Sequence, residues 1–111
     1  MDSNIIAVEE GIKRVVNNKK LYLRLLKKFS GRKLTEDIFE FSAQGNTEEA
    51  VKTCHSLRGA ASNLAMNPLA EVILQIEKKL AAGESAEDLF PALRENLEAV
   101  EKAIEEILAA G

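Results

Sequence analysis

The stretch Ala50-Val51-Lys52-Thr53-Cys54-His55-Ser56-Leu57-Arg58-Gly59-Ala60-Ala61-Ser62-Asn63-Leu64 decides how the chain folds. Ala50, Cys54, Leu57, Ala61 and Leu64 recur at steps of three and four, the period of one helical face. No alternating pattern of a strand competes with it. The stripe is narrow and made of small side chains. Ahead of it, Asn46 or Thr47 can cap a helix, and Glu48 and Glu49 fall in the first turn, where the dipole favours acids.

The same period runs outward in both directions. Toward the N-terminus, Ile5, Val8, Ile12 and Val15 form a short stripe that Asn17-Asn18 breaks, with Asn18 as the next N-cap. Leu21, Leu25 and Phe29 follow, flanked by Tyr22 and Leu26. Tyr22 and Phe29 read as core residues. Ser30-Gly31 marks a kink or break, since glycine costs a helix about 1 kcal/mol against alanine. Leu34, Ile38 and Phe41 resume the pattern until Gln44-Gly45-Asn46 stops it, with Gly45 as a C-terminal cap. Toward the C-terminus, Asn67 reads as a cap and Pro68 as a helix-starting proline. Leu69, Val72, Ile73, Ile76 and Leu80 then run to Gly83, which ends that helix. Ser85 can begin the last segment, which carries Leu89, Leu93, Leu97, Val100, Ile104 and Ile107. Pro91 near its start predicts an irregular first turn. Its Glu and Lys runs read as a solvated face. Short connections make successive helices antiparallel. The expected fold is all-α: an up-and-down antiparallel four-helix bundle with a short additional N-terminal helix, one domain over residues 1–111.

Composition agrees with that fold. Of 111 residues, 46% are hydrophobic and 30% charged, a globular balance, and only 6 Gly and 2 Pro interrupt the helix formers. The net charge of −3 is spread over mixed signs. Without a concentrated basic patch, nucleic acid is not an expected partner. No apolar run reaches the roughly 20 residues of a membrane helix, and no signal peptide is read at the N-terminus. Cys54 is the single cysteine, so no internal disulfide forms and a reducing compartment is compatible. The expectation is a cytoplasmic protein. The Met1 start and complete bundle favour a free-standing one, and a core that closes on itself favours a monomer.

One flank of the central helix does not read as ordinary surface. Residues advance about 100° around a helix axis, so His55 stands off the buried stripe. Arg58, Gly59 and Ser62 lie three, four and seven positions further and share its face. An imidazole is thus followed by a guanidinium, a bare backbone patch and a hydroxyl. Gly59 in mid-helix sacrifices about 0.8–1 kcal/mol. Either a neighbouring helix packs closely there or a partner must approach His55. Cys54 reads as a small core residue. It cannot pair with His55 as a nucleophile, because adjacent helical residues diverge by about 100°. One His and one Cys do not make a metal site.

Cys54 through Leu64 resembles the phosphoacceptor motif of histidine-containing phosphotransfer (HPt) domains. That motif reads His, any residue, Leu, Lys or Arg, Gly, two small residues, any residue, Asn or Thr, and an apolar residue. The resemblance extends to Val8–Ile12, Leu21–Phe29, Gly45-Asn46 and Ile76-Glu77, and so covers nearly the whole chain. There are two departures. Ala65 stands where many members have glycine, which suggests a less bent helix end. Arg58 replaces the commoner lysine and keeps the charge while offering a planar fork of donors.

The resemblance implies a reaction. His55 would accept a phosphoryl group from a receiver-domain aspartate and pass it to another response regulator. Free imidazole is largely neutral at pH 7 and has a lone pair for in-line attack. Arg58 would offset the developing negative charge, and Gly59 would let the receiver come close. By the same resemblance, Glu77 lies on the adjacent helix and accepts a bond from the other imidazole nitrogen. The resemblance also implies that no cofactor is expected on this chain, with Mg²⁺ expected on the partner receiver. A hybrid sensor histidine kinase is the other expected partner. No glycine-rich nucleotide loop is present, so the chain reads as a phosphocarrier and not an enzyme. The alternative is a non-catalytic helical module that docks to a receiver or sensor kinase. The presence of His55, Arg58 and Gly59 together speaks against it, and a purely structural bundle leaves Gly59 unexplained.

Overall fold

The computed structural model describes residues 4–111 and contains six α-helices, with no strand among the described residues. They are α1 (Val8–Arg14), α2 (Lys19–Lys27), α3 (Gly31–Ala43), α4 (Thr47–Asn63), α5 (Asn67–Ala81) and α6 (Phe90–Ala110). The molecule measures 41 × 23 × 20 Å. α3 packs on α4, α4 on α5, α5 on α6 and α6 back on α3, which closes a four-helix ring. The connections between them are short, so neighbours run antiparallel. α2 lies against α6, and α1 against α2. No helix among the described residues is long and apolar enough to cross a membrane.

The core is the set of stripes read above. Ala50, Cys54, Leu57 and Ala61 from α4 meet Leu69, Ile73 and Ile76 from α5, with Ile38, Leu93 and Val100 filling the other side. Burying a leucine or isoleucine contributes about 1.5–3 kcal/mol, so this ring dominates the stability. α4 and α5 share the most extensive contact, helped by the small residues of α4.

The expected helix signals are largely in place. Asn18 accepts from the Leu21 amide at 3.0 Å, and Asn46 from the Glu49 amide at 3.4 Å. A 3₁₀ turn over Glu87–Leu89 precedes α6, whose second residue is Pro91. Asn67 is displaced by one position from its expected role. Met66 is the N-cap and Asn67 the first helical residue, with its side-chain amide turned toward Glu10. At Ser30-Gly31 the chain breaks fully, so two short helices precede the bundle rather than one. A Cβ on Gly31 would fall 2.4 Å from the Phe29 ring and 3.0 Å from Leu97, so a larger residue there would have to displace the Phe29 side chain.

The ends of α3, α4 and α5 share one geometry. Gly45, Ala65 and Gly83 have φ of 71°, 60° and 79°. In each case the next amide bonds a carbonyl five residues back: Asn46 to Phe41, Met66 to Ala61, Glu84 to Lys79. This is a Schellman closure. The expectation of a less bent end at Ala65 is therefore corrected, because alanine adopts the left-handed turn that glycine would.

The N-terminal helices complete that end of α4. The Ala7 amide bonds the Ala65 carbonyl at 2.9 Å, the Tyr22 hydroxyl donates to the Leu64 carbonyl at 2.7 Å, and Arg14 donates to the Ser62 carbonyl. Carbonyls at and just past a helix end have no partner within it. Tyr22 and the Ala7 amide take those of Leu64 and Ala65, and Arg14 adds a second donor to Ser62, which already accepts from the Ala65 amide. Tyr22 is fully buried and its ring lies on Gly11, where a Cβ would sit 2.3 Å from the ring. The opening segment thus anchors the C-terminal turn of the helix that carries His55.

Candidate functional site

α4 presents His55 outward while its neighbours Cys54 and Leu57 are fully buried. The His55 side chain is 72% exposed, unusual for the face of a helix packed on both sides. It owes that exposure to the offset of about 100° between adjacent residues, which turns Cys54 in and His55 out.

Arg58 lies one turn beyond and is anchored from the neighbouring helix. Its Nε donates to Glu77 Oε1 at 2.8 Å, and its Nη2 stands 3.0 Å from His55 Nδ1. Glu77 is the most shielded of the three, with 17% side-chain exposure against 29% for Arg58. α5 brings it there because Ile76 beside it is fully buried against α4. Glu77 Oε2 is 3.7 Å from His55 Nδ1, beyond hydrogen-bond length. The carboxylate therefore meets the ring through Arg58, and the bond anticipated between Glu77 and the imidazole is replaced by one between Arg58 and the imidazole. The hydrogen bond and charge of Glu77 raise the Arg58 pKa, so its charge is permanent.

Gly59 answers the question its cost raised. A Cβ built there meets no atom within 4 Å. No helix among the described residues packs on it, and the close-packing explanation falls. The bare backbone opens to solvent beside His55. On the flank away from Arg58, Leu25, Lys28, Phe29, Ala60, Asn63 and Leu64 line a groove of about 270 Å³. Ser62 is half-buried, and its carbonyl receives Arg14. Arg14 was not singled out by any sequence pattern, since its contact spans 48 residues.

Cys54 faces the interior. Burial, and secondarily the charge of Glu77, push its thiol pKa up to about 12. It is a neutral core side chain at any physiological pH. Among the described residues no group of three or more His, Cys, Asp and Glu could hold a metal ion.

The arrangement offers an accessible ring nitrogen, a fixed cation beside it, a carboxylate that holds the cation, and room for a large partner. A sequence model of the Hpt domain matches residues 24–108. Comparison with curated proteins and with solved structures finds no match.

Proposed function

The chain belongs to the Hpt domain family, and on that premise we propose that His55 carries the phosphoryl group, taking it from a receiver-domain aspartate and passing it to a second receiver. Membership by itself means a part in phosphorelay histidine phosphotransfer, as a carrier rather than a catalyst, with receiver domains and kinases as the interacting class. One observation carries the assignment to His55. The chain contains a single histidine, and it is the exposed one beside Arg58 and Gly59.

The chemistry asked of this domain is modest. Phosphoryl transfer depends mainly on positioning and charge neutralisation. A helix held at both ends positions the ring. Arg58 supplies charge-assisted hydrogen bonds to phosphate oxygens. Gly59 and the adjacent groove leave space for the receiver's active-site face. The Mg²⁺ that such a transfer uses would be held by the receiver's own carboxylates. A module that only docks has no use for an imidazole under a guanidinium.

The test is incubation with a phosphorylated receiver domain, followed by detection of acid-labile, base-stable phosphate on the chain. His55→Gln should take up none. Failure of the wild type to label from any receiver would favour docking without transfer, and equal labelling of the variant would overturn the site.

A further inference from the structure

The Arg58 guanidinium touches two acceptors at once, and only one is a carboxylate. Nε bonds Glu77 Oε1 and Nη2 meets His55 Nδ1. A guanidinium has donors only and stays protonated in proteins. Nδ1 must then be the accepting nitrogen, and a neutral ring with a bare Nδ1 carries its proton on Nε2. Attack on phosphorus needs a lone pair in the ring plane. Here the Nδ1 lone pair is engaged by Arg58 and Nε2 is capped by its hydrogen. Neither nitrogen is ready to react.

We infer that Glu77 acts as a positioning residue that keeps Arg58 on Nδ1, so that His55 rests in the unreactive Nε2–H tautomer until an arriving phosphoryl group draws Arg58 away and leaves Nδ1 to Glu77. This rests on the reading of His55 as the carrier and adds the form in which the ring waits. Glu77 Oε2 already stands 3.7 Å from Nδ1, so a small rotation closes a hydrogen bond. Charge decides the exchange. Anionic phosphate oxygens attract a guanidinium more strongly than a neutral ring nitrogen does. Once Arg58 turns to the phosphate, the strongest bond open to Nδ1 is donation of a proton to Glu77. Nε2 gives its proton to water and Nδ1 takes one from water, with no net change. The Nε2 lone pair then attacks phosphorus. The N–P bond forms as the P–O bond to the donor carboxylate breaks, and that carboxylate leaves with the electron pair. The ring becomes a phosphorylated cation whose Nδ1–H faces Glu77. In the onward step the N–P bond breaks and the ring departs neutral, with its Nδ1 proton retained.

Two-bond ¹H–¹⁵N correlation spectra of the ¹⁵N-labelled chain read the tautomer, at a pH where the ring is neutral. The single histidine makes the signals unambiguous. The wild type should show Nε2–H as its major form. In Arg58→Met the Nδ1–H form should rise from minor to major, since Glu77 is then free to accept. In Arg58→Met with Glu77→Met that reversal should vanish. A wild type mainly in the Nδ1–H form, or an Arg58→Met ring unchanged from wild type, overturns the inference. The wild-type spectrum is a test in itself should a variant fail to fold. Labelling by a phosphorylated receiver is followed separately. Normal labelling of the wild type with no tautomer shift in Arg58→Met removes the lock and keeps the carrier, whereas the expected shift without any label removes the carrier.

Discussion

Arg58 Nε lies 2.8 Å from Glu77 Oε1, so the cation beside His55 is fixed by a carboxylate on the next helix. A long side chain on a helix surface ordinarily samples many rotamers, and ordering it costs entropy. Glu77 holds the side chain in one place beside His55 while no partner is bound. Arg58→Ala should slow phosphoryl uptake from a phosphorylated receiver by about 10- to 100-fold. That is at or below the effect of removing a buried oxyanion donor, because this site is open to water. Arg58→Lys should fall between, as it keeps the charge and loses the fork. The measurement is the single-turnover rate, with thermal unfolding run alongside to show that the fold persists.

Gly59 separates stability from function. Its missing Cβ would touch nothing within 4 Å, so Gly59→Ala should raise stability by about 0.8–1 kcal/mol in chemical denaturation. Gly59→Gln should also fold, since its side chain would project into solvent. It would stand one turn from His55, where the receiver must approach. Transfer should then drop by about tenfold or more, because small displacements of reacting groups are costly. Unfolding of Gly59→Gln would show that the space is needed by the fold.

Ala65 and Val16 share a left-handed backbone, with φ of 60° and 59°, and differ in burial. For a residue other than glycine that conformation costs about 1–2 kcal/mol. At Ala65, which is fully buried, glycine would relieve that cost but lose a buried methyl worth about 0.8 kcal/mol and free the unfolded chain by about 0.4–1 kcal/mol. The terms nearly cancel, so Ala65→Gly should change stability by less than about 1 kcal/mol. This explains how alanine serves where glycine is common. Val16 is 88% exposed and loses nothing by truncation. Val16→Gly should therefore be stabilising, by about 0.5–1 kcal/mol. Denaturant midpoints of the two variants test the contrast.

Local structure was legible where its cause is local. Asn18 and Asn46 cap because a short polar side chain ahead of an apolar stripe can reach back to a free amide, and both do. Gly45 and Gly83 end helices because they take positive φ without strain. At Ala65 residue type does not announce the turn, which is imposed by the Schellman closure and by the Ala7 amide. The face shared by His55, Arg58 and Gly59 followed from helical spacing. The partner of Glu77 did not, because it depends on the axial register of α4 against α5. That register is set by Leu57, Ala61, Leu69, Ile73 and Ile76 packing together, and spacing along one helix carries no information about it. Arg14 and Tyr22 reaching the end of α4 are tertiary in the same sense.

Cys54 gives the fold a dependence on pH at the alkaline end. The folded chain holds its thiol pKa at about 12, raised first by burial and then by the charge of Glu77, against 9.0 for an ordinary thiol. An unfolded chain exposes the thiol and ionises it near the ordinary value. Above that value the unfolded state binds fewer protons than the folded state, so stability falls as pH rises. The contribution is complete below about pH 9 and is lost progressively up to about pH 12. Cys54→Ala should flatten that decline in denaturation curves between those limits, while a decline equally steep in the variant would assign it to other groups. The same burial protects the thiol from reagents. Iodoacetamide at pH 8 should leave Cys54 intact in the folded protein and alkylate it in denaturant, since attack needs a thiolate that the core does not permit. Alkylation at the rate of a free thiol under native conditions would show that α4 opens on that timescale, and a helix that opens could not hold His55 and Arg58 in register.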